Sequence, residues 1–473
     1  MPTLFVLIPF IGIVLLNLLY SQKVKNLAYG AVLLVTLIQL FMAGSLIFEC
    51  ATNFFSSVEI KYFVHLSIDL YAAIVLFTIG LISLIALIIR RYADKDEIFN
   101  FSQLILIIMI GMNGTVMVTD IFSLYVFLEV TSVASFVLIA KKKELLALNG
   151  SFKYLLMSSI ATIMILSAVA ILFMTYGTLS YAELGTQLNA AADSLSLQVI
   201  LAIICLVTGL SIKAGLVPFH MWVPDAYSQS NSAVSILLAG IVTKAGGIYA
   251  ILRLLMVVFP HIALISNVFA FIGIITIVAG ALLALTQNEF KKMLAYSSIS
   301  QVGYIIIGAC CGTPLGFLGA FLHFFNHATF KSLLFVNSAA IESRTGIKEL
   351  DKLEGLGGRM KVTAGTSAVA FLSTAGIPPL SGFWSKVIII IALWQVGYIP
   401  YAIIALLASI LTLAYFLILQ RKVFFGKQSA EFDHVKEANG GFISASMILA
   451  IITVLVGIAF PFVLNFLKIK GLF

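Results

Sequence analysis

The chain alternates between long apolar runs and short polar connections along its whole length. Each run is near the roughly 20 apolar residues that a helix needs to cross a bilayer. The pattern therefore predicts an all-α polytopic membrane protein with about 14 transmembrane helices in one compact bundle. The predicted spans cover residues 3–20, 27–48, 68–89, 101–119, 120–140, 151–176, 197–227, 231–258, 262–285, 295–312, 314–342, 362–395, 401–420 and 441–467.

Two segments outside these spans have patterns of their own. Residues 49–65 alternate aromatic and polar positions, which favours a short hairpin on the surface; the aromatic residues are Phe54, Phe55, Tyr62 and Phe63. Residues 180–190 place Tyr181, Leu184 and Leu188 at helical spacing, which predicts a small interfacial helix.

Composition and charge agree with a membrane protein. The 473 residues are 61% hydrophobic and only 10% charged, with a mean hydropathy of +1.12. Soluble domains carry about 25% charged residues, so a soluble domain is excluded. Nineteen of the 28 basic residues fall in loops that follow odd-numbered spans. Because cytoplasmic loops collect Lys and Arg, this bias predicts both termini outside the cytoplasm and explains the net charge of +8 without a nucleic-acid partner.

Five ionisable residues are predicted deep within spans, namely Glu129, Lys213, Lys244, Lys331 and Lys386. A charge at the centre of a membrane helix costs about 2.5–3.5 kcal/mol on insertion scales. Folding alone requires none of them, so we interpret them as functional, with a structural ion pair as the alternative. Glu129 is the one acid in mid-span, and a neighbouring lysine would keep both groups charged.

Other ionisable residues lie nearer to the ends of the predicted spans. Lys153 and Arg253 are close enough to an end to reach the interface with their long side chains. Asp69, Asp120 and Asp225 are expected to act as helix caps or surface groups.

His323, His327 and Lys331 are spaced i, i+4, i+8, which places them on one face of a helix. Two histidines at this spacing can bind a metal, but no glutamate lies beside His323, so the zinc-protease pattern is absent. Imidazole exchanges protons near neutral pH, which favours a proton relay. Plain polar packing and a metal site are the alternatives.

Two predicted helices contain interruptions. One has Pro218 after Lys213, and the other has Pro378 and Pro379 before Lys386. Proline removes a backbone donor, and open backbone at membrane depth is tolerated only beside water or other protein. Simple proline kinks are the alternative, but paired broken helices are typical of inverted-repeat transporters.

The interruptions and lysines lie five spans apart and predict two inverted five-helix repeats. The predicted divisions are residues 1–100 for helices 1–3, 101–258 for the first repeat, 259–427 for the second, and 428–473 for helix 14.

Catalytic chemistry is not indicated. Cys50, Cys205, Cys310 and Cys311 form no CxxC or Cys/His cluster, and no glycine-rich nucleotide loop is present in the sequence. We therefore expect no metal and no cofactor in this chain. A sodium site needs several oxygen ligands, and the sequence offers only one acid in mid-span. This favours H⁺ as the transported ion, while transport of Na⁺ stays open.

Several runs resemble the antiporter-like subunits of respiratory complex I, the large subunits of Mrp cation/proton antiporters and those of membrane-bound hydrogenases. These runs are residues 213–227, Lys244 to Tyr249, Lys291 to Tyr304, His327 to Phe335 and Gly376 to Phe383. They occur in order and the resemblance covers essentially all the spans.

The resemblance implies roles for individual positions. Glu129 matches the family's fifth-helix glutamate, and Lys213 the seventh-helix lysine that pairs with it. Lys244, Lys331 and Lys386 match the charged positions of the eighth, eleventh and twelfth helices, with His323 and His327 linking the row. The resemblance also implies homologous membrane subunits as partners, within the bilayer of a prokaryotic cell membrane.

Three functions remain in view. The function we favour from the resemblance is the proton-pumping subunit of a redox complex of the hydrogenase or NADH–quinone oxidoreductase type. The alternative is a subunit of a Mrp-type Na⁺/H⁺ antiporter, which shares all the residues named here. A subunit that binds quinone or a metal itself is disfavoured, because the sequence carries no pattern for such a site.

Overall fold

The computed structural model describes residues 1–18, 25–52, 58–61, 65–93, 98–142, 144–192, 194–260, 262–426 and 432–469. Four aromatic residues of the predicted hairpin, Phe54, Phe55, Tyr62 and Phe63, lie outside them.

The described part is built almost entirely from helices. The helices of its first half are α1 Leu4–Leu18, α2 Lys25–Thr52, α3 Leu70–Ala93, α4 Ile98–Met117, α5 Ile121–Ala140, α6 Leu145–Tyr176, α7 Tyr181–Ala190, α8 Leu197–Ala214, α9 Val223–Gln229, α10 Ser232–Leu237 and α11 Tyr249–Arg253. Those of its second half are α12 Ala263–Leu285, α13 Phe290–Cys310, α14 Pro314–Thr345, α15 Lys361–Ala375, α16 Ser381–Gln395, α17 Ile399–Val423 and α18 Gly440–Ile469.

Every predicted span overlaps helix, which confirms an all-α membrane fold. Eleven helical stretches of the described residues are long and apolar enough to cross a membrane. The other three predicted spans coincide with the short helix α1, with α14, and with the interrupted pair α15 and α16. The mean hydropathy of α14 is lowered by its His, Asn and Lys side chains. The number 14 therefore stays a prediction.

Two helices begin several residues before the approximate spans predicted for them. The span predicted to begin at residue 295 begins at Phe290, because Lys291 does not stay in the loop but pairs with Glu342 at 2.5 Å inside the first turn. The span predicted from residue 151 begins at Leu145, since the polar Asn149 is accommodated within the helix.

The two small predicted elements have counterparts in the structure, but the hairpin predicted over 49–65 is shifted along the chain, because residues 49–52 still belong to α2. Strands β1 Val58–Lys61 and β2 His65–Ile68 pair antiparallel, with Val58 opposite Ile68. The predicted helix at 180–190 is α7, and its Gly185 lies against the backbone of Val257. An interfacial position for α7 stays a prediction.

The chain divides into two compact units. Unit 1 comprises Met1–Arg90, Asp94–Gly215 and Gln229–Ile265, and unit 2 comprises Arg91–Ala93, Leu216–Ser228 and Ser266–Phe473.

In unit 1, a buried amide pair joins helices α1 to α4. Gln39 and Asn113 donate to each other's side-chain oxygen at 2.9 Å in both directions. Their second donors reach the backbone oxygens of Leu76 and Phe5. Because the four side-chain donors are satisfied, this polar cluster is compatible with a buried position.

Also in unit 1, the chain from α10 to residue 258 is not a regular α-helix. It contains three wider π-helical stretches, Leu238–Val242, Lys244–Ile248 and Leu254–Val258. A methyl group at Gly247 would overlap the backbone of Ala214, so the absence of a side chain allows this helix to approach the end of α8.

In unit 2, the long helix α14 is delimited by its own capping residues. Thr313 accepts a hydrogen bond from Gly316 N at 3.1 Å, Pro314 occupies the first turn, and Gly346 ends the helix with φ +71°. These capping residues delimit one uninterrupted helix, which carries the His323, His327 and Lys331 side chains.

Candidate ion-translocation site

The clearest charged site of unit 1 is the pair formed by Glu129 and Lys213. Lys213 Nζ lies 2.9 Å from Glu129 Oε1, and the Lys213 side chain is only 6% exposed, against 29% for Glu129. The same ammonium donates to Ser132 Oγ and Ser158 Oγ, both at 2.7 Å. An ammonium has three donors, so all of them are used.

Three helices position this pair. Ser132 lies one turn after Glu129 on α5, and Ser158 lies one turn before Thr162 on α6. Thr162 Oγ1 donates to the same Glu129 Oε1 at 2.5 Å. Lys213 occupies the last turn of α8, where the helix dipole favours a cation.

The first interruption follows directly after Lys213. Helix α8 ends at Gly215, which adopts φ +68°, and α9 begins only at Val223. Pro218 lies in the intervening segment, after a cis Val217–Pro218 bond. Within unit 2, Val217 N donates to Thr276 Oγ1 at 3.2 Å, so a side chain of α12 satisfies one of the backbone donors that the break leaves open.

Lys244 lies at the start of the second wide π-helical stretch of unit 1. Its side chain is fully buried, and Nζ donates to the backbone oxygen of Ala239, five residues earlier. This carbonyl belongs to the preceding π-helical stretch. Lys244 is therefore held as a donor by the backbone of its own helix.

In unit 2, the predicted stripe on α14 is fully buried. The rings of His323 and His327 stack with centroids 6.3 Å apart and planes 13° apart. His323 Nδ1 hydrogen bonds with Ser385 Oγ at 2.9 Å. Lys331 Nζ donates to Ser297 Oγ at 2.6 Å and lies 5.2 Å from the centre of the Phe416 ring.

Lys386 lies on α16, just after the second interruption. Helix α15 ends at Gly376 with φ +86°, Pro378 and Pro379 follow with a cis bond between them, and α16 begins at Ser381. Lys386 is 3% exposed, and its Nζ lies 4.5 Å from the centre of the Tyr304 ring. Among the residues that the structure describes, Nζ has no hydrogen-bond acceptor.

A family model described as the transmembrane part of NADH:quinone oxidoreductase and Mrp antiporter subunits matches residues 118–412, the part that holds every site residue predicted from the sequence. The chain belongs to this family.

Named relatives come from two kinds of complex. The chain is 34% identical over 322 residues to the N-type subunit of an NADH-quinone oxidoreductase of Desulforudis audaxviator, covering 67% of this chain and 63% of that relative's length. It is 31% identical over 394 residues to the D-type subunit of a Na(+)/H(+) antiporter of Alkalihalophilus pseudofirmus, covering 83% of this chain and 79% of that relative.

Solved structures show the same fold. A chain of the Mrp complex from Dietzia sp. superposes with a TM-score of 0.89 at 23% identity, over 98% of this chain and 96% of that one. A chain of an archaeal membrane-bound sulfane sulfur reductase superposes with a TM-score of 0.84 at 28% identity, over 96% and 75%. The chain is thus an antiporter-like membrane subunit.

Several polar residues of this antiporter-like subunit were missed at the level of sequence. They are Ser132, Ser158, Thr162, Ser297, Tyr304, Ser385 and Tyr415. Serine and threonine are common in membrane helices, where their hydroxyls also bond to their own backbone, so the sequence alone does not distinguish the ones that contact a lysine.

Arg253 does not need to reach the interface as expected. Its guanidinium donates to Asp69 Oδ2 at 2.6 Å and to Tyr249 Oη at 2.7 Å, and its side chain is 14% exposed. Asp69 also caps α3 by accepting from Ala72 N at 2.8 Å, and Asp120 caps α5 by accepting from Ser123 N at 2.7 Å.

Proposed function

We propose that this antiporter-like subunit moves H⁺ within a complex I-related, redox-driven ion pump, along a row of mid-membrane side chains. The row comprises Glu129, Lys213, Lys244, His323, His327, Lys331 and Lys386. The observation that carries the proposal is the satisfied ion pair between Glu129 and Lys213 in a membrane helix bundle. Such a pair costs desolvation free energy that a hydrophobic pair would not, so stability alone does not explain it.

The first step follows from the contacts of Lys213. With Glu129 and two serine hydroxyls around it, the ammonium is stable in its charged form. Moving Glu129 away leaves a buried cation without a counter-charge, which favours release of the proton to the next acceptor. The break after Gly215 supplies a point at which the end of α8 can shift.

The later steps use groups that can hold or pass a proton in turn. Lys244 is the proposed acceptor within unit 1, and His323, His327 and Lys331 are the proposed relay of unit 2. Lys386, beside the second break, is the proposed last site. The role of Pro218, Pro378 and Pro379 is to keep the helices open to water at these points.

Orientation and repeat structure belong to the same proposal. The basic loops support a topology with both termini outside the cytoplasm. The two interruptions, each beside a buried lysine, support inverted repeats over residues 101–258 and 259–427. Inverted repeats are typical of transporters in which access to the ion site alternates between the two sides of the membrane.

The oxidation chemistry lies outside this chain in the proposal, and homologous membrane subunits are its partners. The match to an archaeal respiratory membrane complex supports a redox-driven pump. The second candidate is the corresponding large subunit of a Mrp-type Na⁺/H⁺ antiporter, which the 31% identity to a D-type antiporter subunit over 79% of that relative's length favours.

Co-purification in mild detergent separates the two parent complexes. Iron–sulfur or nickel–iron subunits in the isolated assembly would support the redox pump, whereas small antiporter subunits alone would support the Mrp type. Ion transport by the row is tested separately in membrane vesicles with Glu129→Gln and Lys213→Ala. We expect either change to lower H⁺ movement at least tenfold. Unchanged H⁺ movement in an assembled complex would refute the proposal that H⁺ moves along this row of side chains.

A further inference from the structure

An open apolar groove of about 540 Å³ runs along the outer surface of unit 2, between α15 and α18. Val362, Gly365 and Val369 form one wall, and Met447, Ile451 and Leu455 form the other. Ligand pockets have volumes of roughly 300–1,000 Å³, so this groove is large enough for a ligand. The polar residue in its lining, Thr366, directs its hydroxyl to Asn337 and to its own helix backbone.

The groove has a limited length. From Val362 to Val369 the wall on α15 rises about 10 Å, and from Met447 to Leu455 the wall on α18 rises about 12 Å, at 1.5 Å per helical residue. A partner transmembrane helix would pack along the roughly 30 Å of the hydrocarbon core. A groove of about one third of that length fits a chain from a single leaflet better than it fits a spanning helix.

Two lysines lie at the loop end of the groove. Lys361 precedes Gly365 by four residues, so it lies on the same face of α15, one turn closer to the loop. Lys436 is adjacent to Glu437, whose carboxylate accepts from Val362 N and Thr363 Oγ1 at 2.7 Å. That capping contact brings the segment with Lys436 to the first turn of α15.

Neither lysine is committed to an acid within the described part of the chain. Both are exposed, whereas the nearby Arg359 pairs with Asp433 at 2.8 Å. The charge of Glu437 is offset by the α15 donors that it caps and by the helix dipole. The loop end of the groove therefore presents two available ammonium groups above an apolar channel.

We infer that this groove is a binding site for one anionic phospholipid, with an acyl chain between α15 and α18 and the phosphate at Lys361 and Lys436. The site does not depend on the proposed ion transport. An apolar channel recognises a hydrocarbon chain, and each basic side chain near the headgroup favours an anionic lipid by about 1 kcal/mol, or roughly fivefold.

The test uses the intact assembly in phosphatidylethanolamine vesicles that contain a trace of photoreactive phosphatidylglycerol, with the photoreactive group in an acyl chain. Vesicles with a photoreactive phosphatidylcholine of the same chain serve as the neutral comparison. Cross-linked peptides are identified by mass spectrometry. We expect labelling in 362–369 and 447–455, with phosphatidylglycerol favoured over phosphatidylcholine.

Gly365→Leu is expected to reduce this labelling at least fivefold, because a Cβ atom at this lining position meets nothing within 4 Å, which leaves a leucine room to extend into the groove. Gly30→Leu is the matched control: Gly30 is an exposed glycine near the start of α2 and also has open space around it. Lys361→Gln, which removes no packing, should reduce the preference for phosphatidylglycerol about fivefold.

Three outcomes would overturn the site. They are equal labelling of the Gly365→Leu and Gly30→Leu proteins, equal labelling by the two lipids in the wild-type protein, and no labelling of 362–369 and 447–455 in the wild-type assembly. The last outcome is the one expected if a partner helix fills the groove.

Discussion

In unit 1, the ammonium of Lys213 contacts a carboxylate and two hydroxyls, whereas in unit 2 the ammonium of Lys386 faces the ring of Tyr304. Both side chains are almost fully buried. The first environment offsets the burial of the cation by charge and hydrogen bonds, and the second does so only through the ring's quadrupole. Burial of an ammonium is therefore offset less in the second environment than in the first.

The largest expected effect is on the stability of the protein when one buried charge is removed, either at the Glu129–Lys213 pair or at Lys386. Glu129→Gln leaves Lys213 buried with no counter-charge, which typically costs about 3–5 kcal/mol, less here because Glu129 is partly exposed. Lys386→Met removes a buried charge that has no acidic partner among the described residues, so it should be neutral or stabilising.

Thermal unfolding of the purified assembly measures this contrast. The Glu129→Gln protein should melt below the wild type, and the Lys386→Met protein at or above it. Equal losses in the two variants would show that the environments do not differ as described.

A smaller effect is expected from the hydroxyls around Lys213. Ser158→Ala removes one of the three acceptors of the ammonium, and a hydrogen bond to a charged group contributes about 1.5–3 kcal/mol. The melting temperature should fall. Ser167→Ala on the same helix is the control, because within the described residues Ser167 Oγ bonds only to the backbone oxygen of Ile163. An equal fall in melting temperature for Ser167→Ala would show that any serine-to-alanine change on α6 has this effect, and that the contact with Lys213 is not its cause.

The smallest expected effect concerns the ring opposite Lys386. Tyr304→Leu removes the aromatic face, which is worth up to about 2 kcal/mol for a desolvated cation. Tyr304→Phe keeps the face but loses the hydrogen bond of Tyr304 Oη to the Ala405 oxygen at 2.6 Å.

Rates of H⁺ movement in vesicles distinguish the two roles of Tyr304. If the ring positions Lys386, the phenylalanine variant should keep most of the rate and the leucine variant should lose several-fold. An equal loss of rate in the two variants would mean that the hydroxyl of Tyr304, and not its aromatic face, supports H⁺ movement.

The sequence was sufficient for the fold because apolar runs of membrane length and paired Pro/Gly interruptions are local signals. The same holds for the buried charges, since Glu129, Lys213 and Lys386 stand out in an apolar context. The start of α13 was misplaced because Lys291 is drawn into the helix by Glu342, a residue 51 positions away in the chain. No local pattern contains that partner.

The polar surroundings of each lysine could not be predicted either. Ser132, Ser158 and Ser297 are ordinary serines until three-dimensional packing brings them to an ammonium. Tyr304 lies within a recognisable run, but its contact with Lys386 joins α13 to α16. Such contacts depend on which helices pack together, and helix periodicity alone does not specify this.

The central claim is that the buried pair of unit 1 is retained for ion transport and not for stability. The most direct test is the double variant Glu129→Gln, Lys213→Met, which replaces the pair by neutral side chains of similar size in the assembled complex. We predict a melting temperature equal to or above that of the wild type, together with at least a tenfold loss of H⁺ movement in vesicles. Wild-type H⁺ movement in the double variant would contradict the account.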